Sequence, residues 1–110
     1  MVSLSKLLIT IGLAISPAMA YAGDMTWYKP GLGSCGWTNS NNDNVVALSP
    51  SQSGNCGKSV RINYQGKSVT AKVVDKCPGC ASGSIDVSPA VFDKLASRDL
   101  GRVKVTWDLI

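Results

Sequence analysis

Two neighbouring runs in the middle of the chain place an apolar residue at every second position. These residues are Val60, Ile62 and Tyr64 in the first run, and Val69, Ala71 and Val73 in the second. A period of two is typical of strands with one buried face. The Gln65-Gly66 pair between the runs suits a two-residue turn in which glycine takes a positive φ. The pattern therefore predicts two antiparallel strands joined by a tight hairpin.

Weaker patterns on both sides predict the remaining elements. Residues 23–28 indicate a first strand, which Pro30 ends because proline cannot donate to a strand ladder. Ser88 and Pro89 supply an N-cap and a first residue for a helix that ends near Ser97. Further short strands are predicted at residues 44–48, 85–87 and 103–107. Five to six short strands, one helix and no internal repeat predict a mainly β fold, either a small barrel or a sandwich.

The N-terminal residues have the pattern of an export signal. Lys6 supplies a positive end, residues 7–15 are apolar, and small residues offer cleavage points after Ala20 or Ala22. We expect residues 1–20 to be a signal peptide, with cleavage as late as residue 22, and residues 23–110 to form one domain. The apolar run is too short to span a bilayer, and no later run of ~20 apolar residues exists. The sequence thus predicts a secreted, extracellular protein without a membrane partner.

All four cysteines follow the export signal, at Cys35, Cys56, Cys77 and Cys80. An even number of cysteines in a small exported domain predicts two disulfides, for which three pairings exist. We favour Cys35 with Cys56, closing a 22-residue ring worth ~3 kcal/mol in the loop-entropy model, and Cys77 with Cys80. A redox role for Cys77 and Cys80 lacks the βαβ context, and a four-cysteine zinc site would need a second Cys-x-x-Cys.

Composition excludes several kinds of chemistry. The chain has 11 basic and 7 acidic residues; without Lys6 the count is 10 and 7, a net charge of +3. The basic residues are scattered and form no stripe with interleaved aromatics, so we expect no nucleic-acid partner. Histidine and glutamate are both absent from the chain. This excludes Ser-His-Asp and Cys-His catalysis and histidine-ligated metals, and we expect neither a metal nor a cofactor.

Six short motifs follow one another along the chain. They are residues 23–28, 33–36, 55–58, 73–80, 85–89 with Phe92, and 101–107. In this order they resemble the double-psi β-barrel of the barwin, expansin and rare lipoprotein A group. Within that group the chain is most similar to short fungal secreted members and to the bacterial papain inhibitor, which share the loop from Cys77 to Cys80. The resemblance implies a six-stranded barrel with one short helix, two disulfides and a groove beside Asp86.

The resemblance also implies where a ligand binds. It places the functional aspartate of the group at Asp86, which is the single candidate catalytic residue. The candidate ligand-binding residues are Thr26, Tyr28, Trp37, Asp75 and Asp86. Because Ile85 and Val87 alternate with Asp86 and are expected in the core, Asp86 is expected to point toward the groove. For Asp75 a structural role is favoured.

Two departures from the patterns of the group argue against catalysis. Family 45 glycoside hydrolases use two aspartates, but Pro30 stands at the position of their base, and inverting hydrolysis needs a second carboxylate. The His-Phe-Asp signature of expansins is here Ser84-Ile85-Asp86. We also expect no second, sugar-binding domain, because the chain stops at Ile110.

Two classes of function remain open. The first, which we favour, is a small monomeric, non-catalytic module that binds cell-wall polysaccharide or an extracellular protein such as a papain-like cysteine protease. The second is a weak enzyme acting through Asp86 alone, with lytic-transglycosylase-like cleavage or expansin-like wall loosening. Incubation with wall glycans separates them, since only the enzyme produces new reducing ends or anhydro-sugars.

Overall fold

Six strands and one short helix make up residues 20–110, the part of the chain that the structure, a computed structural model, describes. The strands are β1 (Ala20–Trp27), β2 (Val45–Leu48), β3 (Ser59–Tyr64), β4 (Lys67–Lys76), β5 (Ile85–Val87) and β6 (Val103–Leu109). The helix is α1 (Pro89–Leu95), and 3-10 turns occur at Pro50–Gln52 and Arg98–Leu100. The predicted signal peptide lies outside the described residues except for Ala20.

The strands close into a barrel, which decides between the two predicted architectures. Their order around the barrel is β1, β5, β2, β4, β3 and β6, and β6 pairs again with β1. β1 pairs with β5 and β2 with β4 in parallel, whereas the other four pairs are antiparallel. Closure leaves no free sheet edge, which matters for strands as short as β2 and β5.

The predicted hairpin is confirmed between β3 and β4. Tyr64 pairs with Lys67, and only Gln65 and Gly66 lie between them. Both turn residues take positive φ, 46° at Gln65 and 82° at Gly66. A turn with positive φ at both central residues matches the twist of the adjoining strands and therefore fixes their register. The positive φ strains the backbone at Gln65, which is not a glycine.

The ends of two elements differ from the sequence prediction. β1 begins at Ala20, three residues earlier than predicted, because residues 20–25 pair with β6 and the Tyr21 ring stacks on Trp107 with centroids 4.3 Å apart. α1 ends at Leu95 because Ala96 takes an extended conformation while its N–H still donates to Phe92. No helix in residues 20–110 is long and apolar enough to cross a bilayer.

Within the described part of the chain, the barrel encloses one apolar core. Its largest fully buried side chains include Trp107, Phe92, Met25 and Ile62. α1 contributes Val91, Phe92 and Leu95, all fully buried, from one face of the helix. The indole N–H of Trp107 is also satisfied, because it donates to the carbonyl of Gly83 at 2.8 Å.

Both predicted disulfides are present. Cys35 pairs with Cys56 and Cys77 with Cys80, with Cα atoms 5.6 Å and 5.4 Å apart. The first bridge joins the long loop after β1 to the loop before β3. The second closes a four-residue ring directly after β4.

Candidate functional site

A row of paired residues crosses the outward face of four neighbouring strands; Thr26, Asp75 and Asp86 are partly buried, and Ala47 between the two aspartates is buried. Strand pairing sets Thr26 on β1 beside Asp86 on β5. It sets Ala47 on β2 between the two aspartates, Asp86 on one side and Asp75 on the other. Directly paired residues share one face of a sheet. We call Thr26, Asp86, Ala47 and Asp75 the Asp86 row; at ~4.8 Å per strand its two aspartates lie about 10 Å apart along the backbone.

Alternation along β5 turns Asp86 out of the core. Ile85 and Val87 are fully buried in the barrel, so Asp86 between them faces outward and is half-buried. Thr26 faces outward in the same way, next to the fully buried Met25. Asp86 therefore points away from the core, as the alternation with Ile85 and Val87 predicts.

Asp75 reaches the outer row through a bulge. Val69, Ala71 and Val73 share the inward phase of β4, and unbroken alternation would bring Asp75 inward as well. The pairing with β2 shifts by one residue after Val73, so Val74 has no partner on β2 and Asp75 pairs with Ala47. An extra residue of this kind reverses the faces of all the residues that follow it.

Asp86 has few partners for a half-buried carboxylate. The described residues give it one hydrogen bond, in which the Thr26 hydroxyl donates to Oδ1 at 3.0 Å. Burial raises the pKa of Asp86 above its ordinary value, and the charge of Asp75 raises it further. The bond from Thr26 and the charge of Arg102 act in the opposite direction. Asp86 thus retains acceptor capacity for a ligand.

Asp75, in contrast, is well supplied with donors. The backbone N–H groups of Ser34 and Lys76 donate to Oδ1 at 2.9 Å and 2.8 Å, and the Tyr28 hydroxyl donates to Oδ2 at 3.4 Å. The Ser34 bond ties the long loop after β1 to the end of β4. This geometry agrees with the structural role favoured for Asp75.

Tyr28 links the two ends of the Asp86 row. It follows directly after β1, where its N–H donates to Val87, and its hydroxyl reaches Asp75, three strands away in the barrel order. Burial raises the pKa of the Tyr28 phenol above its usual value, and the charges of Asp75 and Asp86 add to the effect. The phenol therefore stays protonated and acts as a hydrogen-bond donor.

A pocket of about 250 Å³ lies beside Thr26, at the other end of the row. It is lined by Asp24, Thr26, Ser84, Ile85, Arg102 and the loop at residues 77–81. Asp24 accepts from Arg102 at 3.1 Å and from Lys104 at 2.9 Å. We call this cavity the Arg102 pocket. It is a short, polar extension of the surface on which Asp86 lies.

The wall of the Arg102 pocket is held in place from inside the protein. Gln52, which is buried, donates through Nε2 to Ser82 at 3.1 Å and accepts through Oε1 from the N–H of Gly83 at 3.0 Å. The N–H of Asp24 donates to the Ser84 hydroxyl at 3.1 Å. Residues 82–84, which lead into β5, are therefore fixed independently of the Cys77–Cys80 bridge.

The Trp37 ring makes no described hydrogen bond to the other predicted site residues. Lys72 places its ammonium group 3.8 Å from the centre of the indole ring, and the ring packs against the backbone of Gly57. The described side-chain bonds that connect Thr26, Tyr28 and the two aspartates do not include the Trp37 ring. The structure thus brings together four of the five predicted ligand-binding residues.

Sequence reasoning missed Arg102, Asp24 and Gln52 as parts of the site. Arg102 and Lys104 flank the inward-facing Val103, so the alternation predicts that both face outward. Their contact with Asp24, however, depends on the pairing of β6 with β1. Gln52 lies in a turn-rich stretch and has no sequence signal at all. Arg102 and Lys104 also line a larger concavity of about 880 Å³ that faces β6 and the β3–β4 turn, and its lining within residues 20–110 contains no carboxylate.

No group of three or more His, Cys, Asp or Glu residues with the arrangement of a metal site occurs in residues 20–110. Asp86 and Asp75 are separated by Ala47, and Asp24 is neutralised by two cations. The arrangement is suited to hydrogen bonding with hydroxyl or amide groups along the outer surface of the barrel.

The barrel, the outward aspartate and the two bridges define a class of protein. The chain belongs to the double-psi β-barrel family described as lytic transglycolase, whose family model matches residues 20–107. The fold predicted from the motifs, a six-stranded double-psi barrel with one helix and two disulfides, is therefore confirmed.

Individual relatives differ in how much of their length the chain covers. The papain inhibitor of Streptomyces mobaraensis is 35% identical over 91% of this chain and 83% of its own length. The allergen Asp f 7 of Aspergillus fumigatus is 40% identical over 77% of this chain but 35% of its own length. The chain thus spans only about a third of the fungal allergens that it matches.

Solved structures share the barrel. The Streptomyces papain inhibitor superposes with a TM-score of 0.77 at 34% identity, covering 84% of this chain and 94% of that protein. A Clavibacter michiganensis expansin, solved in complex with cellohexaose, gives the same TM-score at 22% identity and covers 84% of this chain and 50% of that protein. At that identity the expansin shares the fold alone.

Proposed function

We propose that the protein is a secreted, non-catalytic module that binds cell-wall polysaccharide along the Asp86 row. The observation that carries the proposal is the half-buried carboxylate of Asp86, which has one hydroxyl donor among the described residues and faces an outer surface. A partly desolvated carboxylate gains from further donors, and sugar hydroxyl groups supply them. The pocket beside Thr26 offers room for a neighbouring sugar.

The absence of catalysis is inferred from the state of the second carboxylate. The backbone separation of about 10 Å between Asp75 and Asp86 is near the range of inverting glycosidases. A base must activate water, however, and Asp75 already accepts three hydrogen bonds in the described structure. Tyr28, which donates to Asp75, stays protonated because its pKa is raised.

Binding and cleavage are tested together with cello-oligosaccharides and insoluble wall glycan. We expect saturable binding to the wild-type protein, with no new reducing ends and no anhydro-sugars after prolonged incubation. Products that disappear in Asp86→Asn would replace the proposal with the single-acid enzyme, for which the raised pKa of Asp86 would suit a general acid. No binding to any glycan would remove the polysaccharide from the proposal.

A papain-like cysteine protease is the second candidate partner. The relative named papain inhibitor covers nearly the same length as this chain, which favours a shared function. A bridge between Leu32 and Thr38 stiffens the loop after β1, yet the Leu32 side chain remains 75% exposed. A rigid loop with an exposed apolar residue loses little entropy on binding and suits insertion into a cleft.

Papain kinetics test this second candidate. We expect the wild-type protein at micromolar concentration to slow papain, and Leu32→Ser to weaken the inhibition about tenfold or more. Leu100→Ser is the matched control, since Leu100 is also exposed, at 58%, but lies in the 3-10 turn before β6. Unchanged papain kinetics with the wild-type protein would exclude this partner.

Secretion is part of the proposal, supported by two disulfides that form in an oxidising compartment. We infer that the signal peptide is removed after Ala20 and not after Ala22. Cleavage after Ala22 would delete Tyr21, whose ring stacks on Trp107. Mass spectrometry of the secreted protein should therefore find Tyr21 as the first residue; Gly23 in that position would contradict the inference.

A further inference from the structure

The Arg102 pocket has an unused cationic group. Arg102 and Lys104 share the single carboxylate of Asp24, so the three charges sum to 2 − 1 = +1. Lys104 does not line the pocket, and its side chain is 89% exposed. Arg102 does line it, and within residues 20–110 one side-chain N–H group of its guanidinium is engaged, by Asp24. A guanidinium has five N–H donors, so the others are available to a ligand.

The pocket is continuous with the Asp86 row. Thr26 belongs to both, because it lines the pocket and its hydroxyl donates to Asp86. The charge of Arg102 also acts on the carboxyl of Asp86. Asp86 itself does not line the pocket, but Thr26 lies between them, so a ligand bound at Asp86 is able to extend its next group past Thr26 toward Arg102.

The size and chemistry of the pocket limit what that group can be. A volume of about 250 Å³ is slightly less than the ~300 Å³ at which pockets for drug-sized ligands begin, so it accommodates one sugar-sized group. The planar guanidinium matches a carboxylate, with which it forms paired, charge-assisted hydrogen bonds. A neutral sugar would offer Arg102 only weaker acceptors.

We propose that the Arg102 pocket makes the site selective for acidic polysaccharides, with a uronic-acid carboxylate on Arg102 and a hydroxyl of the adjacent sugar on Asp86. This rests on the proposed function, since it requires a polysaccharide along the Asp86 row. It makes Arg102 the residue that determines specificity. Asp24, which also lines the pocket, accepts from one N–H of the guanidinium and orients it.

Calorimetry with three oligosaccharides tests the proposal: an oligogalacturonate, its methyl ester, and a cello-oligosaccharide of the same length. We expect the wild-type protein to bind the free acid about tenfold more tightly than the ester, and this preference to weaken with salt. Arg102→Gln should bind acid and ester equally while keeping its affinity for the cello-oligosaccharide. The variant should fold, because Lys104 still pairs with Asp24 and an exposed ion pair contributes little.

Arg98→Gln is the matched control, with the same change of charge at an exposed arginine paired with Asp93. It should keep the full preference for the acid. An equal loss in Arg98→Gln and Arg102→Gln would mean attraction by net charge and overturn the assignment to the pocket. Equal binding of acid and ester by the wild-type protein would overturn the selectivity but leave the proposed function standing. No binding of any of the three would overturn both.

Discussion

Asp75 and Asp86 occupy the same row of the barrel, one on each side of Ala47, but their surroundings differ. Asp75 accepts three hydrogen bonds, two of them from backbone N–H groups. Within residues 20–110 Asp86 accepts one, from the Thr26 hydroxyl, and burial raises its pKa. An aspartate saturated by its own chain stabilises the fold. An aspartate that is partly buried and has few hydrogen-bond donors destabilises the fold slightly, and its carboxylate can still accept hydrogen bonds from a ligand.

The loops beside the two aspartates differ in the same way. The loop next to Asp75 is anchored by the Cys35–Cys56 bridge, by the N–H of Ser34 and by Gly33, where a Cβ atom would overlap the carbonyl of Val74. The loop near Asp86 is anchored by Gln52, and its bridge closes only the short ring from Cys77 to Cys80. The Asp75 side therefore depends more on its disulfide.

The largest expected effect comes from removing that disulfide. Replacing Cys35 and Cys56 together by serine should cost about 3 kcal/mol of unfolding free energy, against about 2 kcal/mol for Cys77 and Cys80, because the larger ring restricts the unfolded chain more. Urea unfolding of both double variants measures the difference. The comparison between the loops fails if the Cys77 and Cys80 variant is the less stable of the two.

The next effect is the loss of the Asp75 carboxylate. Asp75→Ala leaves the N–H groups of Ser34 and Lys76 and the Tyr28 hydroxyl without their acceptor. We expect a loss of about 2 kcal/mol and faster proteolysis within residues 31–39. Asp93→Ala is the control, an exposed acid paired with Arg98. If the two variants are equally stable, Asp75 is not a structural acceptor.

A smaller effect should appear in the pH dependence of stability. The folded pKa of Asp86 lies above the ordinary 3.8, so the stability contributed by its protonated form is fully present below pH 3.8 and is lost as the pH rises through the folded pKa. Asn cannot ionise, so Asp86→Asn should gain stability relative to the wild type as the pH rises from below 3.8 through the folded pKa of Asp86. Lys104 and Arg102 lower the pKa of Asp24. Asp24 is present in both the wild type and the variant, so its contribution to stability does not affect the difference between them. Thermal unfolding at several pH values measures the difference, and a constant difference would contradict the raised pKa.

Part of this comparison could be predicted from the sequence. Alternation of Ile85, Asp86 and Val87 places Asp86 on the outer surface, because a period of two is a local property of the chain. The position of Asp75 could not be predicted in this way, because the bulge at Val74 reverses the phase that Val69, Ala71 and Val73 establish. Where a bulge forms depends on the partner strand, here β2.

The Arg102 pocket was beyond prediction for a related reason. Arg102 and Asp24 are 78 residues apart and meet only because β6 pairs with β1 when the barrel closes. Gln52 lies in a 3-10 turn and hydrogen-bonds with Ser82 and Gly83, which are about 30 residues further along the chain. No periodic pattern in the sequence around Gln52 indicates these contacts. The ordered motifs gave the barrel topology, but the contacts between distant side chains required the structure.

Asp86→Asn tests the central claim most directly, namely that Asp86 serves a ligand and Asp75 serves the fold. The substitution keeps the shape of the side chain and removes its charge. The change in unfolding free energy at neutral pH and the change in glycan or protease affinity should be measured on the same preparation. We expect stability equal to the wild type within about 0.5 kcal/mol, or slightly higher, with binding weakened about tenfold. A variant that unfolds more easily by about 2 kcal/mol while binding normally would show that Asp86, like Asp75, is a structural acceptor.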